Sequence, residues 1–303
     1  MELLWKGVYP AVTTKFNPDE SIDFELFSKN IEEQIRAGVS GIILGGTLGE
    51  SGVLTHTEKF DLVKEAIQTV SGKVPVILNI AEQRTIDAVN YVKAAEKLGA
   101  EGFMLLPPLR YPSDERETLD YIGTVASATS LPIIIYNNPV DYKTEITLKM
   151  FDKLTVYPNI QAVKESTRDI SNVTRMRNLF GNRYKILSGV DTLAMESLCM
   201  GADGWVAGLV CAFPWETVAV FRLVKEGRID EARKIYQWFL PLLELDIHPK
   251  LVQYIKLAET MTGLGSEHVR KPRLTLIGEE RARIEGIIRN GIAHRPELPV
   301  FQK

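Results

Sequence analysis

Leu131-Pro132-Ile133-Ile134-Ile135-Tyr136-Asn137-Asn138-Pro139 is an apolar run ended by a tyrosine, two asparagines and a proline. No charged side chain interrupts it, so a strand formed here is buried on both faces, as in a parallel sheet flanked by helices. Seven further segments read the same way, at residues 7–14, 41–45, 74–80, 102–106, 160–164, 185–188 and 204–207. Amphipathic stretches lie between them, among them 24–37, 57–70, 85–98 and 114–128. This alternation predicts an α/β protein, a closed (β/α)8 TIM barrel over residues 1–226. The competing architecture is an open doubly wound sheet, but no GxGxxG follows the first strand to support it. From 227 to 303 no convincing strand follows. Helical patterns near 230–245, 249–262 and 278–289 predict a C-terminal helical extension packed on the barrel, with no low-complexity linker between.

Bulk properties narrow the function. With 303 residues, 45% of them hydrophobic, the chain can bury a large core, and a net charge of −3 argues against nucleic acid as a partner. The two cysteines, Cys199 and Cys211, lie in apolar contexts and fit a reducing compartment. The opening Met1-Glu2-Leu3-Leu4-Trp5 carries no charged-then-apolar leader, and no apolar run reaches the roughly 18 residues of a membrane span. The expectation is a cytoplasmic enzyme. His56, His248, His268 and His294 are scattered, without HxH or HExxH spacing, so no metal site is expected.

The chemistry is expected where strands end. Alternation puts Ile160, Ala162 and Lys164 on one face of their strand, and Pro132, Ile134 and Tyr136 on one face of the preceding strand. If both faces point inward, Lys164 and Tyr136 meet across strands about 4.8 Å apart, at the C-terminal rim where barrels keep their active sites. Burial disfavours the ammonium, lowering the lysine pKa and turning it into an amine nucleophile toward a carbonyl. The pair suggests Schiff-base chemistry on a 2-oxo acid, with the phenol moving protons. The alternative for each alone is structural: a rim lysine paired with Glu165, and a core tyrosine.

After the second strand, Gly45-Gly46-Thr47-Leu48-Gly49-Glu50-Ser51 offers backbone N–H groups suited to a carboxylate or phosphate. It lacks the GxxxxGK[ST] pattern of a nucleotide loop, and Thr47 is placed to exchange protons with Tyr136. The alternative is a tight turn whose Glu50 and Ser51 serve the next helix. Gly189, within Ser188-Gly189-Val190-Asp191, and Gly208, after the eighth strand, let a ligand approach the backbone closely. Asp246-Ile247-His248 reads as a cap or a surface pair.

These residues resemble the dihydrodipicolinate synthase / N-acetylneuraminate lyase family of class I aldolase-type barrels, over nearly the full length. The resemblance rests on Gly46-Thr47-Leu48-Gly49-Glu50 for the family's G-[ST]-x-G-E loop, Tyr136-Asn137-Asn138-Pro139 for Y-N-x-P, and Val163-Lys164-Glu165-Ser166 for K-[ED]-[ST]. It implies that Lys164 condenses with pyruvate or a longer 2-oxo acid and that Tyr136 relays protons. It also implies that backbone near Gly46, Thr47, Leu48 and Val206 holds the substrate carboxylate, without metal or organic cofactor, in a homotetramer built from dimers. Three departures stand out. Leu48 replaces a second loop hydroxyl. Asp141 stands where the family's synthases carry an arginine for the aldehyde's carboxylate. Arg110 aligns with a tyrosine usually donated across a dimer interface, leaving Tyr111 one residue displaced. The expectation is a Schiff-base lyase, dehydratase or deaminase acting on a 2-oxo acid or its cyclic imine, with Arg110 free to meet an anionic substrate. The alternatives are a true dihydrodipicolinate synthase, condensing pyruvate with aspartate semialdehyde, and a non-catalytic barrel that binds a keto acid.

Overall fold

A computed structural model describes residues 3–301. Met1 and Glu2 of the N-terminal stretch considered above lie outside the described residues. Eight parallel strands, β1 (Gly7–Pro10), β2 (Ile42–Leu44), β3 (Val76–Ile80), β4 (Gly102–Leu105), β5 (Ile133–Asn137), β6 (Ile160–Glu165), β7 (Lys185–Ser188) and β8 (Gly204–Ala207), run in the order β1-β8-β7-β6-β5-β4-β3-β2. The ring closes between β1 and β2 through a bridge from Ala11 to Ile43, with Val12 N donating to Ile43 O at 2.9 Å. Each strand falls within, or one residue from, its expected segment. The ends are shorter because Pro132 has no N–H for the ladder and Thr13 and Thr14 leave the sheet at the mouth, past the Ala11 bridge.

One irregularity matters for function. Ile133 pairs with Ile160, but Ile134 pairs with Ala162, so β6 carries an extra residue at Gln161. Continued regular pairing would set Tyr136 opposite Val163 and turn it to the other face. The one-residue shift sets Tyr136 opposite Lys164 instead.

Around the sheet lie α1 (Phe24–Ala37), α2 (His56–Val70), α3 (Thr85–Lys97), α4 (Glu115–Ala126), the single turn α5 (Pro139–Tyr142), α6 (Leu148–Leu154), α7 (Ser171–Phe180), α8 (Ala194–Cys199) and α9 (Pro214–Lys225). Local chemistry sets their starts. Asp23 caps α1 by accepting from Leu26 N, and Thr55 with Glu58 and Asp114 with Glu117 form capping boxes on α2 and α4. Beyond α9 come α10 (Ile229–Leu243), a 3-10 turn (Glu244–Ile247), α11 (Leu251–Thr262) and α12 (Gly278–Ala293). Their buried residues, Phe239, Leu243, Ile255 and Ile288 among them, join the same apolar core as the strands. No described helix is long and apolar enough to cross a membrane.

Candidate active site

The C-terminal ends of the strands surround a cavity of about 470 Å³. Lys164, Tyr136 and Thr47 open into it. So do Gly46, Leu48, Asp141, Gly189 and Val206. Arg110 does not: it is exposed on the loop between β4 and α4, and Tyr111 beside it is 51% exposed. Within the chain Arg110 therefore faces water, where an unpaired guanidinium is most stable. The expected meeting of Arg110 with substrate finds no support in this cavity.

Lys164 is buried, and no ion pair reaches it among the described residues; its Nζ lies 4.0 Å from the centroid of the Tyr136 ring. Glu165, the structural alternative as its partner, instead accepts from Thr167 N at 2.8 Å and Asn172 Nδ2 at 2.7 Å. Burial holds the lysine pKa below its usual range, partly offset by the nearby acidic groups Asp246, Asp191 and Asp141. Room for the lysine stem comes from Gly189, where a Cβ would stand 2.6 Å from Lys164 Cγ and 2.7 Å from Cε. A glycine expected to admit ligand thus admits the lysine itself.

The Tyr136 hydroxyl accepts from Asn138 Nδ2 at 3.1 Å, and the same amide donates to Asp141 Oδ2 at 2.7 Å. Burial raises the phenol to about 12, so it carries its proton at neutral pH and acts first as a donor. Thr47 shares a hydrogen bond not with Tyr136 but with Tyr142, at 2.8 Å between the oxygens. Tyr142 had no place in the sequence reading. The signal for it was present: Asn138 followed by Pro139 is an N-cap with proline at the first helical position, which makes a one-turn helix.

Two acids complete the wall. Asp191 is buried and accepts from Trp205 Nε1 at 2.8 Å, Leu209 N at 2.9 Å and Gly208 N at 3.2 Å, bracing the loop after β8. Asp246, read from sequence as a cap or surface residue, instead lines the cavity, packed so closely on Gly208 that a Cβ there would stand 2.7 Å from its carboxyl carbon. Burial, then repulsion from Asp191, raises its pKa well above the carboxylate range against the opposing pull of Lys164. Glu50, given above only the alternative role of serving the next helix, stands at the N-cap of the 3-10 turn Ser51–Val53 instead. Its backbone is left-handed at φ 54°, and its side chain turns away from α2 to pair with Lys256 Nζ at 2.5 Å. Among the described residues no three His, Cys, Asp or Glu side chains are grouped to hold a metal ion.

Comparison with known proteins converges on one family. The model of the dihydrodipicolinate synthetase family matches residues 4–290. A 4-hydroxy-tetrahydrodipicolinate synthase of Methanococcus vannielii is 30% identical, over 93% of this chain and 97% of its own length. One from Persephonella marina is 29% identical, over 95% and 98%. Among solved structures, the 4-hydroxy-tetrahydrodipicolinate synthase of Methylacidiphilum fumariolicum SolV superposes with a TM-score of 0.90 at 28% identity, covering 95% of this chain and 96% of that one. The dihydrodipicolinate synthase of Aquifex aeolicus gives 0.89 at 27%, covering 94% and 97%. The chain belongs to the dihydrodipicolinate synthetase family, whose named members here are lyases of the class I aldolase type.

Proposed function

We propose that this family member forms an imine between Lys164 and the keto carbon of pyruvate or a related 2-oxo acid, and works as a lyase, dehydratase or deaminase. The observation that carries the reading is a buried lysine, free of ion pairs among the described residues, in register with a partly buried phenol at the rim of a cavity. The neutral amine adds to the carbonyl; the carbinolamine oxygen leaves as water with a proton from Tyr136; the protonated imine then draws electrons from C3. Loss of a group at C4, or bond making at C3, follows from that one intermediate. The substrate carboxylate fits the backbone around Gly46, Thr47 and Leu48, with Val206 opposite.

Asp141, exposed at the cavity mouth, favours a reaction other than the lysine-pathway condensation, because an acidic side chain there repels a second carboxylate. The second reading, condensation of pyruvate with aspartate semialdehyde, is favoured by the names of the relatives. Trapping with pyruvate and borohydride tests the shared step: a mass increase on Lys164 is expected, and no adduct with any of a broad panel of 2-oxo acids removes both. A coupled assay with aspartate semialdehyde separates them, since turnover as fast as imine formation would favour the synthase. Ligand-induced stabilisation without turnover would point to a binding barrel. We extend the reading to a cytoplasmic homotetramer, which analytical sedimentation tests.

A further inference from the structure

The imine chemistry proposed above consumes a proton when the carbinolamine loses water, and Tyr136 has to be recharged afterwards. The cavity holds a second phenol suited to that task. Asn138 Oδ1 accepts from Asp141 N at 3.2 Å, and with Pro139 this cap starts the one-turn helix that brings Tyr142 back to the barrel mouth. There its ring meets Tyr136 edge-on, centroids 5.4 Å apart and planes at 85°. Its hydroxyl lies 2.8 Å from Thr47 Oγ1, and the residue lines the cavity. Burial pushes the Tyr142 phenol upward while the Thr47 bond pulls the other way, and the net rise keeps it protonated at neutral pH. Tyr111 stands outside, half exposed on its loop.

We infer that Tyr142, from the same chain, is the outer proton carrier of this site, acting through Thr47, so that each chain holds a complete relay. The inference rests on the imine reading. The carbinolamine C–O bond breaks as the nitrogen lone pair forms C=N, and the oxygen leaves as water with the Tyr136 proton. The relay then requires the Thr47 hydroxyl, bonded to Tyr142 at rest, to turn within reach of the Tyr136 phenolate and give it a proton; Thr47 takes one from Tyr142, and Tyr142, partly exposed at the cavity, takes one from solvent. The sum is one proton in, one water out and a protonated imine. Tyr142 is a relay residue, separated by Thr47 from the reacting atoms.

Tyr142→Phe keeps the ring packing and removes only the hydroxyl. Imine formation with pyruvate, followed by stopped flow and confirmed by borohydride trapping, should slow about 10- to 100-fold, while half-saturating pyruvate changes less than about threefold. Added imidazole should restore the variant's rate in proportion to its concentration and leave wild type unaffected, a rescue that lost packing would not show. Tyr111→Phe should stay within about twofold of wild type. A Tyr142→Phe rate within about twofold of wild type, or the large loss appearing in Tyr111→Phe, overturns the relay and leaves the imine intact. A wild-type protein that forms no adduct overturns both.

Discussion

Two clusters of buried charge sit near the mouth of the barrel, built from the same residue types and doing opposite things. In one, Lys15 Nζ lies 2.7 Å from Glu259 Oε1, the Thr13 hydroxyl donates to the same carboxylate at 2.7 Å, and Lys256 Nζ lies 2.5 Å from Glu50 Oε1; all four charged side chains are sealed from solvent. In the other, Lys164 has a phenol ring and a cavity instead of a carboxylate partner. Desolvation acts on both. Burial lowers Lys256 to about 8 against the pull of Glu50, which is still high enough for its ammonium to persist at neutral pH. Lys164 meets only the diffuse field of groups that do not touch it, and its neutral amine is the form that reacts. Pairing decides whether a buried lysine holds the fold or does chemistry.

The strongest way to break this contrast is Lys164→Arg, which keeps a cation and removes the imine-forming amine. Turnover should fall more than about 10⁴-fold, and mass spectrometry after borohydride should find no adduct. Activity surviving at a tenth of wild type would mean the unpaired lysine is not the nucleophile. Next comes the paired cluster. Glu259→Gln strands Lys15 inside the protein and should cost about 3–5 kcal/mol in urea unfolding, while the double change Lys15→Met with Glu259→Leu should recover most of it. Equal losses in both would show that packing, not charge, is at work.

Gly189→Ala sharpens the comparison, because its Cβ would press on the Ser166 hydroxyl and on the lysine stem beside it. A loss of about 1–3 kcal/mol of stability is expected, with slower adduct formation; unchanged trapping kinetics would mean the stem has slack. The smallest effect is a gain. Lys164→Met should stabilise the protein by about 1 kcal/mol at neutral pH, because an active-site charge is kept at a cost to the fold. The sign with pH follows from the depressed pKa. Between the folded value and the ordinary 10.5, the unfolded chain binds more protons, so the lysine's penalty is full below the folded value and fades toward 10.5. The gain from methionine should therefore shrink as pH rises, and a gain independent of pH would contradict the lowered pKa.

The barrel was legible because its strands are apolar on both faces and short, so local composition alone marks them. The Lys164 and Tyr136 pairing was legible only as a shared face, since the extra residue at Gln161 that brings them into register carries no sequence signal. Asp246 was not legible: it lies 55 positions from Asp191, on a turn after α10, and only the packing of that turn on Gly208 brings it to the lysine. The inward course of Glu50 was hidden for a related reason. Thr55, not Glu50, begins α2, which left the glutamate free to turn inward toward a helix two hundred residues away.

That last tie sets an order of assembly. Lys15 leaves the ribosome 244 positions before Glu259, and Glu50 likewise long before Lys256. Nascent β1 and the loop after β2 thus wait with their charges hydrated, since drying either one without its counter-ion runs uphill. Vectorial synthesis leaves the rim of the barrel wet until α11 has been made, so the catalytic end is sealed only once the C-terminal helices arrive.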